Sequence, residues 1–373
     1  MITRLFADQY KCLVDFELQL GPLQLLTGRN GSGKTTVFDV LESLQRVISG
    51  QSLPSIEFPA GDTLTAWSDR PEQRFELTVE GNGGLYEYSL LLRHDLLKLE
   101  CRVGGEELKY NGRLLLRHDG NDVELFADDG VSLQRYPVRG LASPLSEVRA
   151  DERLSQIVWF RNRAGAGVHV YSPDPKRIGT STQENHHLKR DLSNLVAWLR
   201  FSFFDQPETY NELYFVLIDE VIGGLGRIEN IAAPPGGPPL QFCFEADSEA
   251  GGGQAGYPLT LNQLSDGQRM LVGLYALAIL DLKPETTLCI EEPDNYLALS
   301  EIQPWLSMLR DYVESRGAQC LLISHHPDVL NYLAADSGIW LERDDSGIVR
   351  AERFAHEGDE PLTPAELVGR GWR

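Results

Sequence analysis

The stretch "GRNGSGKTT", residues 28–36, constrains this chain more than any other. Gly28, Gly31 and Gly33 permit a tight turn whose successive backbone N–H groups all point inward, a concavity suited to phosphate oxygens. Arg29, Asn30 and Ser32 fill the turn between them. Lys34 places a point charge where β- and γ-phosphates would lie, Thr35 offers a hydroxyl to Mg²⁺, and Thr36 completes the run. The apolar "PLQLLTG" before it reads as a strand. After it, Val37, Leu41, Leu44, Val47 and Ile48 fall on one helical face. Strand, glycine turn and helix in that order bring a phosphate to a helix N-terminus. The expectation is an α/β fold of the P-loop NTPase kind, with ATP and Mg²⁺ as its ligands.

Further along, "TLCIEEP" reads as a short buried strand ending in two adjacent carboxylates, with Pro293 stopping it. Glu291 and Glu292 side by side would repel each other unless a cation lies near or one takes a proton. A Mg·ATP site supplies that cation: Glu291 would hold it, directly or through water, and Glu292 would polarise the attacking water. In "LLISHHPDVL" the strand-end His325 is placed to donate to a γ-phosphate, while His326 reads as an ordinary structural histidine. The fourth stretch, "LSDGQRMLVGLYALAIL", sets a polar mouth on an apolar helix. Ser265 suits an N-cap, and a helix start carries about half a positive charge. Ser265 and the Gly267 amide would therefore cap a γ-phosphate. The architecture keeps that mouth away from its own phosphate loop, so the nucleotide it meets belongs to a second copy.

In order and wording the chain resembles the ABC-type ATPase heads of the SMC, RecF and OLD group. "TGRNGSGKTT" is similar to their Walker A, "LSDGQ" to their signature, "CIEEPDNYL" to their Walker B and D-loop, and "ISHH" to their switch histidine. "YKCLVDFELQL" resembles their first nucleotide-binding strand. The resemblance spans the chain and implies an ABC-like head with an antiparallel β-rich subdomain and a helical signature lobe. It implies nucleotide contacts from Asp266, Gln268 and Asp294 besides the residues above. It also implies a homodimer, or a higher oligomer, closed around sandwiched ATP. Three departures stand out. Glu291 replaces a more usual aspartate, and no coiled-coil arm or following nuclease domain is legible. The glutamine loop has only Gln156 and "VYSPDP" as candidates.

Organisation follows the motifs. Residues 1–74 carry the Walker A part of the core, 75–138 read as antiparallel hairpins separated by Gly-rich turns, and 139–260 form a linker and helical lobe. Residues 261–373 carry signature, Walker B and switch histidine. Helical patterns are expected in "HLKRDLSNLVAWLRFSFF" and "TYNELYFVLIDEVIGGL", and flexible stretches in "AAPPGGPP" and "EADSEAGGGQAG". Five scattered cysteines read as reduced core thiols, and with no legible export signal or membrane span they point to the cytoplasm.

The net charge of −21 argues against a generic DNA-coating protein. Residues 135–200 nevertheless hold eleven Lys and Arg against six acids, Arg139, Arg161 and Arg163 among them. That segment is either a solvated face or a surface for duplex DNA or an acidic partner. The leading expectation is an ATPase that acts on DNA in repair or anti-phage defence, directly or through a separate nuclease or toxin effector. The alternatives are the nucleotide-binding subunit of a transporter and an ATP-binding scaffold that restrains a toxin.

Overall fold

The computed structural model describes residues 1–98, 100–138, 141–181, 187–229, 240–245, 256–354 and 362–370. Arg139, the Pro/Gly stretch 232–239 and most of the Gly-rich stretch at 245–256 lie outside them. Within them no helix is long and apolar enough to cross a membrane.

A mostly parallel sheet has six strands, β3 (Leu23–Gly28), β10 (Val168–Tyr171), β14 (Thr287–Glu291), β15 (Gln319–Ile323), β16 (Gly338–Arg343) and β17 (Val349–Arg353). Their order is β10-β14-β15-β3-β16-β17, parallel except for the closing hairpin of β16 and β17. Its central strands are apolar without alternation because both faces are covered. Cys320 and Leu322 of β15 pack with the signature helix and its neighbours, while Leu321 and Ile323 pack with the P-loop helix.

An eight-stranded antiparallel sheet lies beyond the P-loop helix. It comprises β1 (Ile2–Asp8), β2 (Phe16–Gln19), β4 (Glu72–Gly81), β5 (Gly84–Asp95), β6 (Glu100–Tyr110), β7 (Arg113–His118), β8 (Asp122–Phe126) and β9 (Ser132–Pro137). Strand β1 thus pairs with β2 on one side and β4 on the other, and neither β1 nor β2 pairs with β3. Phe75, Leu77, Tyr86 and Leu90 from this sheet share one core with Val37, Phe38, Leu41 and Val47 of the helix Lys34–Ser49. On the other side of the mostly parallel sheet, helices Leu195–Asp205, Pro207–Val216, Asp266–Ala276, Leu299–Arg316 and Pro327–Ser337 build a second core. A small sheet of β11 (Leu225–Glu229), β12 (Gln241–Phe244) and β13 (Tyr257–Thr260) leads into the signature helix.

Two expectations need correction. Residues 187–194 are not helical: the Asp191 carboxylate accepts from Ser193 N at 3.0 Å and the Asn194 side chain from Lys189 N at 2.8 Å. Such local bonds compete with helix, and Leu192 takes φ 57°. The basic segment is not one outward face either. Arg163 is 3% exposed and donates to Thr287 Oγ1 at 2.7 Å. Arg161 reaches the Val148 carbonyl at 2.5 Å, while Arg135, Arg153 and Arg177 stay exposed but are paired with Asp122, Asp151 and Asp191.

Candidate nucleotide site

Strands β14, β15 and β3 are adjacent and parallel, so their C-terminal ends bring Glu291, Ser324–His325 and Gly28 to one edge, the usual place for a ligand in an open α/β sheet. The loop there needs its glycines. Gly28 has φ 147°, and a Cβ on it would come 2.2 Å from the Leu341 carbonyl oxygen. Gly33 has φ 91°, and its Cβ would press on Cys12 and Val349. The helix Lys34–Ser49 begins with no side-chain cap. The Ser32 hydroxyl is buried without a hydrogen-bond partner, and Lys34 Nζ folds back onto the carbonyls of Gly28 (2.8 Å) and Arg29 (3.0 Å). Uncapped amides, an orphaned hydroxyl and a lysine resting on backbone carbonyls together fit a phosphate chain. Burial pulls the Lys34 amine below its ordinary pKa, with Glu292 and Glu291 opposing that shift.

The acids stand across the cleft. Thr35 Oγ1 donates to Glu291 Oε1, so the two expected metal-holding groups already touch. Glu292 has φ 49°, a left-handed conformation held by its N–H bond to the Ile323 carbonyl at 2.8 Å. That twist turns its carboxylate away from Glu291: Oε2 accepts from Asn295 Nδ2 at 2.8 Å and Oε1 lies 3.4 Å from His325 Nδ1. His326 instead caps the helix Pro327–Ser337, accepting from Asp328 N. Asp294 is buried and accepts from Ser324 Oγ at 2.6 Å, which locks the turn after β14 to the end of β15. Burial raises the Asp294 carboxyl above its usual range, with the Ser324 bond opposing.

A cleft of about 660 Å³ runs from Asn30, Gly31, Lys34, Thr35 and Thr36 to Glu291 and Glu292, and onward to Lys11, Trp67 and Arg343. The last three were missed in the sequence. Trp67 is 48% exposed with the Arg343 guanidinium 5.3 Å from its ring centroid, a flat wall on which a base can stack. Gln156, the glutamine-loop candidate, accepts from Arg113 Nη2 at 3.3 Å and lines no part of the cleft.

The signature residues Ser265, Asp266, Gly267 and Gln268 do not line it either. Ser265 is exposed and closes a capping box: its Oγ accepts from Gln268 N at 3.2 Å, and Gln268 Oε1 accepts from Ser265 N at 3.1 Å. Asp266 pairs with Arg269 at 2.5 Å. A Cβ on Gly267 would come 3.0 Å from the Tyr296 carbonyl, so the signature packs against the turn that carries Asp294.

A family described as "AAA domain, putative AbiEii toxin, Type IV TA system" matches residues 24–331. This chain belongs to that family. Its fold is that of an SMC head: a solved SMC head bound to the C-terminal winged-helix domain of ScpA aligns over 94% of this chain and 97% of its own, with TM-score 0.55 and 14% identity. The SMC head of Thermotoga maritima is similar over 95% of this chain and 99% of its own, with TM-score 0.49 and 14% identity. An OLD nuclease of Thermus scotoductus is 38% identical over 56 residues, which span 15% of this chain and 10% of that protein. This AAA-domain chain is thus an SMC/RecF/OLD-like ATPase head, as its motifs implied.

Proposed function

We propose that this AAA-domain protein binds Mg·ATP in the cleft between Lys34 and Glu292 and hydrolyses it in a dimer closed around two nucleotides. The observation that carries the reading is that Glu292, paired with His325, lines the same cleft as Lys34. The backbone N–H groups of residues 28–36, the Ser32 hydroxyl and Lys34 Nζ bind the phosphates. Thr35 and Glu291 are the residues to hold Mg²⁺, which when bound offsets charge on the β- and γ-phosphate oxygens. Glu292 accepts a proton from the attacking water; Asn295 and His325 fix its two oxygens, and His325 donates toward the γ-phosphate. Trp67 stacks the base.

Ser265 and Gly267 complete the site of the opposite copy, a reading supported by the exposure of Ser265 and by the absence of both from the chain's own cleft. Closing and opening of the dimer then drives a process on DNA, in repair or anti-phage defence, directly or through an effector. The SMC-head fold and the short OLD-nuclease likeness support that direction. The family's description, which names a putative toxin of a type IV TA system, supports a second reading, in which the chain works within such a system.

ATP turnover with and without duplex DNA tests the proposal. Wild type should turn over with a rate that DNA changes, while Glu292→Gln should bind ATP as well as wild type with turnover lowered by about 10²-fold or more. Turnover of Glu292→Gln at the wild-type rate would refute the base. A rate that answers to a co-expressed partner of such a toxin–antitoxin pair and ignores DNA would select the second reading.

A further inference from the structure

The segment 187–194 sends one side chain into the metal acids, and the sequence had shown it only as part of a basic run. Arg190 Nη1 lies 3.1 Å from Asp39 and 2.7 Å from Glu42, and its Nη2 lies 3.4 Å from Glu291 Oε2. Asp39 and Glu42 follow Thr35 along one face of the P-loop helix, so three carboxylates and the Thr35 hydroxyl converge on the same place. Besides Lys34, which feels the charge of Glu291 from the loop side, the neighbouring cations are Lys11, 2.9 Å from Asp39, and Arg46, 2.6 Å from Glu42. Of the described ion pairs with these acids, Arg190 alone reaches Glu291.

We propose that Arg190 is an internal counter-cation: it occupies the carboxylates of Asp39, Glu42 and Glu291 and so keeps a divalent cation out until one arrives with nucleotide phosphates. The inference rests on Thr35 and Glu291 being the metal-holding pair. A cluster of hard carboxylate oxygens attracts divalent cations. A guanidinium cannot lose its charge, and its planar fork of donors can bridge several carboxylates at once. Glu291 gives Oε1 to Thr35 and Oε2 to Arg190, so a metal ion must take oxygens that both already use. With no phosphate present, the guanidinium opposes that exchange as a like charge a few ångströms away. The triphosphate adds the negative charge that reverses the balance.

The backbone keeps Arg190 from swinging clear. Its carbonyl accepts from Ser172 N at 2.8 Å. Two residues on, fully buried Leu192 seats against Gly273 of the signature helix, where a Cβ would come 2.9 Å from Leu192 Cδ1. Arg190 is therefore a positioning residue fixed from the lobe side, and it ties the metal acids to the helix that Ser265 caps.

The experiment is Mn²⁺ binding to the full, nucleotide-free chain, read from the loss of the free-ion paramagnetic resonance signal. Arg190→Gln should bind Mn²⁺ about tenfold or more tightly than wild type, because a like charge is gone from the acids. Arg190→Lys, which keeps the charge without the fork, should fall between the two and guards against a folding defect in the first variant. Adding Glu291→Gln to Arg190→Gln should remove the gain. Equal binding by wild type and Arg190→Gln, or binding by neither, overturns the counter-cation role; so does a gain that survives loss of the Glu291 carboxylate. No nucleotide is present, so a chain that never hydrolyses ATP still gives the result, and failure of the ATPase reading stays separate.

Discussion

The two helices proposed to meet phosphate in this chain differ in kind at their first turns. Lys34–Ser49 starts from Gly33 at φ 91° with no side chain bonded to its leading amides. Asp266–Ala276 starts from Ser265, whose side chain and that of Gln268 satisfy each other's backbone N–H in a closed box. A helix start with free N–H groups is an open anion site, whereas a boxed one is already content. On the proposed reading the first binds from within its own chain, and the second opens its box for a ligand brought by another copy, which makes its occupancy conditional on assembly. The surroundings agree: the first start is walled by Lys34, Glu291 and Glu292, and the second is exposed beside Tyr296, itself 57% exposed.

The largest effect should come from the open start. Lys34→Ala removes a charged donor worth about 3 kcal/mol, so ATP affinity measured by calorimetry should fall roughly a hundredfold or more. Binding within a few-fold of wild type would mean that the loop amides alone hold the phosphates. The smallest should come from the boxed start. Ser265→Ala loses an N-cap worth about 1 kcal/mol, which in a chain of 373 residues lowers Tm by about 1–2 °C. ATP affinity of the monomer should stay within about twofold, since Ser265 lies off its own cleft. A large loss of monomer affinity would place Ser265 in cis and erase the contrast between the helices.

Legibility in the sequence followed locality. The P-loop, the acids after β14, the Ser265 cap and His325 are each defined within a few consecutive residues, and their flanking strands and helices are where the pattern placed them. Partners chosen across the chain were not legible. Strand β1 joins β4, with β2 on its other side, and Leu5 and Phe16 share the core of Phe75, a pairing that alternation alone cannot assign. Arg163 and Arg190 counted as surface charge, yet one is buried against Thr287 and the other reaches three acids from far along the chain. The apolar spacing of "HLKRDLSNLVAWL" read as helix from its first residue. Asp191 and Asn194 bond to nearby amides instead and delay the helix to Leu195. Trp67 and Arg343 carry no motif and meet only through the fold.

The central claim, that the boxed helix start serves the nucleotide of another copy, is tested most directly by mixing two inactive variants. Ser265→Arg obstructs only the partner's γ-phosphate and leaves its own phosphate loop able to bind ATP; Lys34→Ala disables only its own loop. In a two-site dimer formed from one of each, one composite site carries both lesions and the other carries neither. Each variant alone should be inactive, and the mixture, checked for co-assembly by sedimentation with ATP, should recover up to about half the turnover of a wild-type dimer. Co-assembled, folded chains that stay inactive when mixed would contradict the claim and put both helix starts on the same nucleotide.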